Sequence, residues 1–198
     1  MTSTPGREDV PSLKRKILAL CGLSGIAVLL GGFCALPLSI PILEQHREIF
    51  KRVRAMMIGA RFVSDHDVVL QSQSNDCGAA SLKMILAAHG MECSAADLAE
   101  RLRLTRRGAS MLDLRLTALA LGVQARSWAI RPADMGRVPL PAIAFVNRDH
   151  FVVVRRFVAA EVLEVDDPAL GKLQWPMRAF TRVWSGEMLI FDPAWTPL

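Results

Sequence analysis

The sequence predicts an α+β protein, with helices in the first half of a globular part, strands in the second, and an apolar helix ahead of both. Three patterns carry this expectation. Apolar residues return at helical spacing in three stretches between residues 71 and 123, the period of a helix with one buried face. From residue 123 onward, short runs rich in valine, isoleucine, phenylalanine and tryptophan take over, the composition of strands. Helices gathered ahead of strands leave no βαβ alternation, so a doubly wound parallel sheet is not expected. Lastly, the 27 residues from Ile17 to Leu43 hold no charge at all.

That uncharged run comes first in the chain. About 20 apolar residues cross a bilayer as a helix, so residues 17–43 suffice for one crossing and fall short of two. Pro37 and Pro41 stand near its far end, where a helix kinks or stops. A cleaved signal peptide would have a shorter apolar core and a small-x-small cleavage site, and neither is present. Four basic residues flank each end, but Lys14-Arg15-Lys16 abuts the run. This points the N-terminus inward and the following domain outward. Residues 44–65 then read as an amphipathic juxtamembrane connector, with Ile49, Val53 and Met56 or Met57 at helical spacing among Arg47, Lys51, Arg52 and Arg54. Its basic face suits anionic lipid head groups.

The globular part begins near residue 66. In Gln71–Gly90, Ala79, Leu82, Ile85, Leu86 and Ala88 recur at helical spacing and Gly90 is the stop. Residues 94–104 open with Ser94 and Asp97, a variant of the capping box, and residues 110–123 repeat the device with Ser110 and Asp113 and end at Gly122. Strands are expected over 123–130, 140–146, 150–158 and 161–167. Residues 175–191 read as a short helix, a turn at Gly186 and an edge strand. The domains are therefore 1–16 as a tail, 17–43 as an anchor, 44–65 as the connector and 66–198 as the globular domain.

Composition narrows the function. The chain has 198 residues, a net charge of +5 and 52% hydrophobic residues, so it can bury enough surface to order itself. Residues 1–61 hold nine basic and four acidic side chains, the entire excess, whereas residues 62–198 hold fifteen of each. A neutral domain has no clustered Lys and Arg to neutralise phosphates, and nucleic acid is not an expected partner. Four cysteines without a CxxC pair make neither a disulfide scaffold nor a zinc ribbon. No metal or cofactor is expected.

One cysteine stands in a telling place. Cys77 follows Asp76 at the start of the first globular helix, where unpaired N–H groups and the helix dipole favour a thiolate. A thiolate nucleophile needs a base. Of His46, His66, His89 and His150, only His150 heads a strand, fixed by the packing of Phe151, Val152 and Val153. A catalytic imidazole needs an acceptor that sets its tautomer, and Asp167, before Pro168, returns one hairpin later. The Cys77 N–H and the Gln71 amide, six residues upstream, are candidate oxyanion donors. Each residue alone has a plainer reading as packing or turn.

Gln71 with Cys77-Gly78-Ala79-Ala80, His150-Phe151-Val152-Val153-Val154, and Asp167-Pro168-Ala169 with Gly171 together resemble the C39 peptidases. Leu140-Pro141-Ala142-Ile143, Arg106-Arg107-Gly108-Ala109-Ser110 and Trp184-Ser185-Gly186 match as well, and the resemblance covers residues 68–193. It implies a papain-like cysteine peptidase fold, a helical half plus an antiparallel sheet. It also implies Cys77 as nucleophile, His150 as base, Asp167 as orienting carboxylate and Gln71 as oxyanion donor. Relatives in that family cut double-glycine leader peptides as N-terminal domains of bacteriocin-exporting ABC transporters. The expected partners are then a precursor with a double-glycine-type leader, membrane lipid, and an ABC transporter lacking its own peptidase domain. The expected location is a bacterial inner membrane, crossed once, with the catalytic domain on the periplasmic side. Two features depart from the transporter pattern: the apolar segment precedes the domain, and no GxxxxGK[ST] loop occurs. Ala79 stands where many relatives have proline. Rival readings are a leader-binding module that does not cut, and a papain-like hydrolase acting on another exported precursor such as a fibre protein. Arg106 and Arg107 read as a solvated loop or as a receiver for acidic leader residues. Trp128, Trp175 and Trp184 read as packing.

Overall fold

Side-chain alternation along the central strands builds two cores from one sheet. The computed structural model of the protein describes residues 46–196. The tail at 1–16 and the apolar run at 17–43 lie outside the described residues, and among the described residues no helix is long and apolar enough to cross a membrane. The chain divides into units 1–49 and 50–198, and the sheet belongs to the second. In chain order come helix α1 over residues 46–57, β1 (Arg61–Ser64), α2 (Cys77–Ala88), α3 (Ala95–Arg101), α4 (Met111–Ala120) and β2 (Arg126–Ala129). A 3-10 helix (Pro132–Arg137), β3 (Ala142–Val146), β4 (His150–Ala159), β5 (Val162–Asp167), β6 (Gly171–Pro176), α5 (Met177–Val183) and β7 (Trp184–Ile190) follow. The seven strands form one sheet in the order β1-β6-β5-β4-β3-β7-β2, every neighbour antiparallel.

Successive side chains of a strand point to opposite faces. Ile143, Phe151, Val153 and Leu189 meet α2, α3 and α4 through the buried Leu82, Ile85, Leu86, Leu98 and Leu114. Ala144, Val152, Val154, Met188 and Ile190 turn the other way, onto Trp175, Phe180, Met135 and Ala55. Helix starts follow their caps. The Ser94 side chain accepts from the Asp97 N–H, and Ser110 and Asp113 make a reciprocal capping box.

Three strands depart from the sequence reading. β6 was not anticipated, because Leu173 and Trp175 alternate with Lys172 and Gln174 and the two apolar residues alone make a weak signal; both are fully buried. β7 is no edge strand: it lies between β3 and β2, and Met188, Leu189 and Ile190 are all inaccessible. A continuous apolar run is what burial on both faces requires. Gly186 sits inside β7 at φ +87° rather than in a turn. Finally, β1 lies within the stretch read as a connector, with Phe62 opposite Leu173. Ala55 is fully buried, and the Trp175 indole donates to the Ile58 carbonyl at 3.2 Å. Of the other tryptophans read as packing, Trp184 is buried and Trp128 is half-exposed.

Candidate active site

Helix α2 places the candidate nucleophile. Cys77 is its first residue and is buried. Gly78 lets this turn approach its neighbours, since a Cβ there would sit 3.3 Å from Leu114 and 3.4 Å from Phe151. One turn further on, the buried Ser81 hydroxyl donates to the Phe151 carbonyl at 3.3 Å, tying α2 to the residue after His150. Ala80 N–H makes the first backbone bond of the helix, to the Asp76 carbonyl at 3.0 Å. The N–H groups of Cys77, Gly78 and Ala79 therefore have no partner within the helix.

His150 opens β4 opposite Val146. The turn before it holds Asn147 and Arg148 at φ 53° and 65°, a region that residues other than glycine seldom adopt. Asn147 N–H is anchored on the Val183 carbonyl at 2.7 Å. Nε2 of His150 lies 2.8 Å from Oδ1 of Asp167, and Cys77 acts on the same ring electrostatically. With Nε2 occupied by the carboxylate, Nδ1 is the ring atom left for the thiol. Burial by itself lowers the pKa of this imidazole. The hydrogen bond to Asp167 and the influence of Asp167 and Cys77 on the ring outweigh burial and push it up to about 10. The arrangement favours a charged imidazolium beside the sulfur.

Asp167 ends β5 and is buried. Its Oδ1 also accepts from the N–H groups of Ala169 at 2.7 Å and Leu170 at 3.2 Å. The carboxylate is thus oriented by its own turn before it meets the histidine. Its neighbour Asp166 faces other partners, with Arg155 Nε at 2.5 Å and Lys172 Nζ at 3.9 Å. Val153 pairs with Asp166, so Asp167 lies past the paired part of β4, on the side of His150.

Gln71 reaches the same place from the loop ahead of α2. Its N–H donates to the Pro168 carbonyl at 2.8 Å, joining this loop to the Asp167 turn. Its Nε2 donates to the Gln73 carbonyl at 3.0 Å, and its Oε1 is buried without a partner. The loop is shaped by Asp76, which sequence reasoning took only as a helix start. Asp76 Oδ2 accepts from Ser72 N–H at 3.0 Å and Ser72 Oγ at 2.7 Å, and both its oxygens accept from Gln73 N–H at 3.2 Å. Asn75 Nδ2 donates to the Thr105 carbonyl at 2.8 Å, seating the exposed Arg106-Arg107 turn beside this segment. Ser81, Asp76 and Asn75 escaped the sequence reading because a short polar side chain declares its partner only after folding. Among the described residues no three His, Cys, Asp or Glu side chains group as metal ligands would.

The Peptidase C39 family matches residues 65–196. An uncharacterised protein of Methanothermobacter marburgensis is 30% identical over 131 residues, which are 66% of this chain and 92% of that protein. The "Probable functional amyloid protease FapD" of Pseudomonas aeruginosa is 30% identical over 163 residues, taking in 77% of this chain and 70% of FapD. Among solved structures, a double glycine motif protease from an AMS/PCAT transporter, in complex with the leader peptide, is similar at a TM-score of 0.61 and 30% identity. That likeness covers 64% of this chain and 91% of the other. A family match across two thirds of the chain, on the fold that joins its cysteine, histidine and aspartate, means that this protein belongs to the Peptidase C39 family of cysteine peptidases.

Proposed function

We propose that the protein is a membrane-anchored cysteine peptidase that removes a leader from an exported precursor, cutting after a Gly-Gly pair. The observation that carries it is the 2.8 Å hydrogen bond between His150 and Asp167, on a ring that also responds to Cys77 at the start of α2. In this reading the Cys77 thiolate attacks the carbonyl carbon of the second glycine. The oxyanion is held by the Cys77 N–H and the Gln71 amide. The C–N bond then breaks, and the imidazolium proton of His150 passes to the leaving amine. Neutral His150 takes a proton from water, whose oxygen attacks the thioester and releases the leader acid and the thiolate. Asp167 keeps the ring aligned throughout. Two glycines suit a narrow cleft, because such a cleft rejects side chains by clash. Arg106 and Arg107 would meet acidic leader residues.

Membrane attachment is supported by the uncharged run at 17–43 and by α1. Phe50, Val53, Met56 and Met57 are 62%, 44%, 70% and 79% exposed, an apolar stripe flanked by Arg52 and Arg54. Such a stripe beside basic residues suits the head-group region of a bilayer. In this reading the domain lies on the periplasmic side of a bacterial inner membrane and serves a transporter without its own peptidase domain.

A second reading concerns the substrate alone. The FapD match takes in 77% of this chain, more than the two thirds within residues 65–196, and this favours a fibre-forming exported precursor over a bacteriocin. The test incubates the full chain in membranes with a synthetic Gly-Gly leader precursor and with a fibre-protein precursor bearing its own leader. Cleavage after Gly-Gly that Cys77→Ala abolishes supports the proposal, and the better substrate separates the two readings. Undiminished cleavage by Cys77→Ala removes the mechanism.

A further inference from the structure

Asp76 adjoins the nucleophile, and neither of the ordinary reasons for an aspartate there applies. An N-cap aspartate normally accepts from the second or third N–H of its helix. The other two long-capped helices of this domain do this: Ser94 and Ser110 have extended backbones at φ −76° and −89°, and their side chains bond the third N–H. Asp76 instead has φ −105° and ψ 12° and makes no side-chain cap bond to α2. Its charge is no help either, because a carboxylate beside a thiolate disfavours the thiolate.

What the carboxylate does is turn backward. Three donors of Ser72 and Gln73 converge on it, at 2.7 to 3.2 Å. The Gln73 carbonyl in turn receives Gln71 Nε2 at 3.0 Å. The opposite amide orientation would set oxygen against oxygen at Gln73, so the nitrogen is the atom that faces this carbonyl. One Nε2 hydrogen is used there and the other remains. The amide holds this pose although its Oε1 is left buried and unpartnered, an arrangement that a freely turning side chain would not keep.

We propose that Asp76 is a positioning residue of the oxyanion site. By bonding the loop rather than the helix, it fixes the Gln71 amide through Gln73 and leaves the first-turn N–H groups of α2 uncapped for the developing negative charge. This rests on the reading of Cys77 as nucleophile and Gln71 as oxyanion donor.

The test compares Asp76→Ala, Asp76→Asn, Gln71→Ala and the Asp76→Ala/Gln71→Ala double variant in the full chain, cleaving a synthetic Gly-Gly leader precursor. Removal of an oxyanion donor lowers kcat on the order of 10²-fold. Asp76→Ala is expected to lower kcat by about 10- to 100-fold with KM little changed, and the double variant to be no worse than Gln71→Ala. Asp76→Asn, which keeps one acceptor oxygen, recovers part of the loss. A peptide aldehyde ending in Gly-Gly forms an adduct with its oxygen in the oxyanion site, so its inhibition weakens with kcat. Binding of uncut precursor in a Cys77→Ala background stays the same and reports an intact fold. Additive losses in the double variant, weakened precursor binding, or a displaced pH profile with an intact plateau would each overturn the proposal. If Gln71→Ala leaves aldehyde inhibition intact, the role of Gln71 falls and the proposal with it; if only Asp76→Ala does so, the proposal alone falls.

Discussion

His150 concentrates the electrostatics of the candidate site in one ring. Its folded pKa of about 10 lies above the ordinary 6.5, so the charged form is the one the folded state favours. The stabilisation that this brings is complete below pH 6.5 and is lost as pH climbs through about 10. In the proposed mechanism the same proton goes to the leaving amine, so the alkaline limb of kcat/KM should follow it. Asp167→Asn removes one of the charges that raise the ring, and the limb should move down toward 6.5. Activity at neutral pH should fall on the order of 10²-fold or more, as loss of acid–base alignment does. A pH profile of precursor cleavage checks both. Cys77 and His150 were legible in the sequence because a helix start and a strand head are local positions that a pattern reveals. The contacts of Ser81 and Asp76 were not. A hydroxyl within an apolar helix and an aspartate before a cysteine look ordinary until Phe151 and Gln73 come within reach.

At the scale of elements, the helices were the most readable, because caps such as Ser110 with Asp113 are contained in four residues. Strands fared less well where their signal is shared with neighbours. β6 shows only Leu173 and Trp175, and its identity comes from pairing with β5 on one side and β1 on the other. The β5–β6 hairpin also depends on one backbone conformation. Gly171 has φ +107°, and a Cβ there would sit 2.7 Å from the Ser64 carbonyl oxygen and 3.1 Å from Asp65. Gly171→Ala combines a disfavoured φ with a clash against backbone, and should cost about 2 kcal/mol or more. Chemical denaturation measures the loss. Because Gly171 pairs with Asp167, kcat should fall as well. The Lys51–Asp65 ion pair at 2.7 Å holds the same corner from the side of α1.

Across the whole molecule, the net charge of +5 belongs to residues 1–61. It leaves the peptidase domain neutral. If the domain lies outside the inner membrane, a C-terminal alkaline phosphatase fusion should be active, since that reporter needs an oxidising compartment. A fluorescent-protein fusion that folds only in the cytoplasm should then be dark; the reverse pair would place the domain inside. The bond from Gln71 N–H to the Pro168 carbonyl has a further consequence, for the order of events during synthesis. It joins segments 97 residues apart, and Asp167 follows Cys77 by 90. At about 5 to 20 residues added per second, the thiol is synthesised roughly 5 to 20 s before its acid partner. During that interval the nascent chain carries the Cys77 thiol without the Asp167 that orients His150 and without the closed loop around it. The Cys77, His150 and Asp167 constellation can therefore close only after the β5–β6 turn has been made.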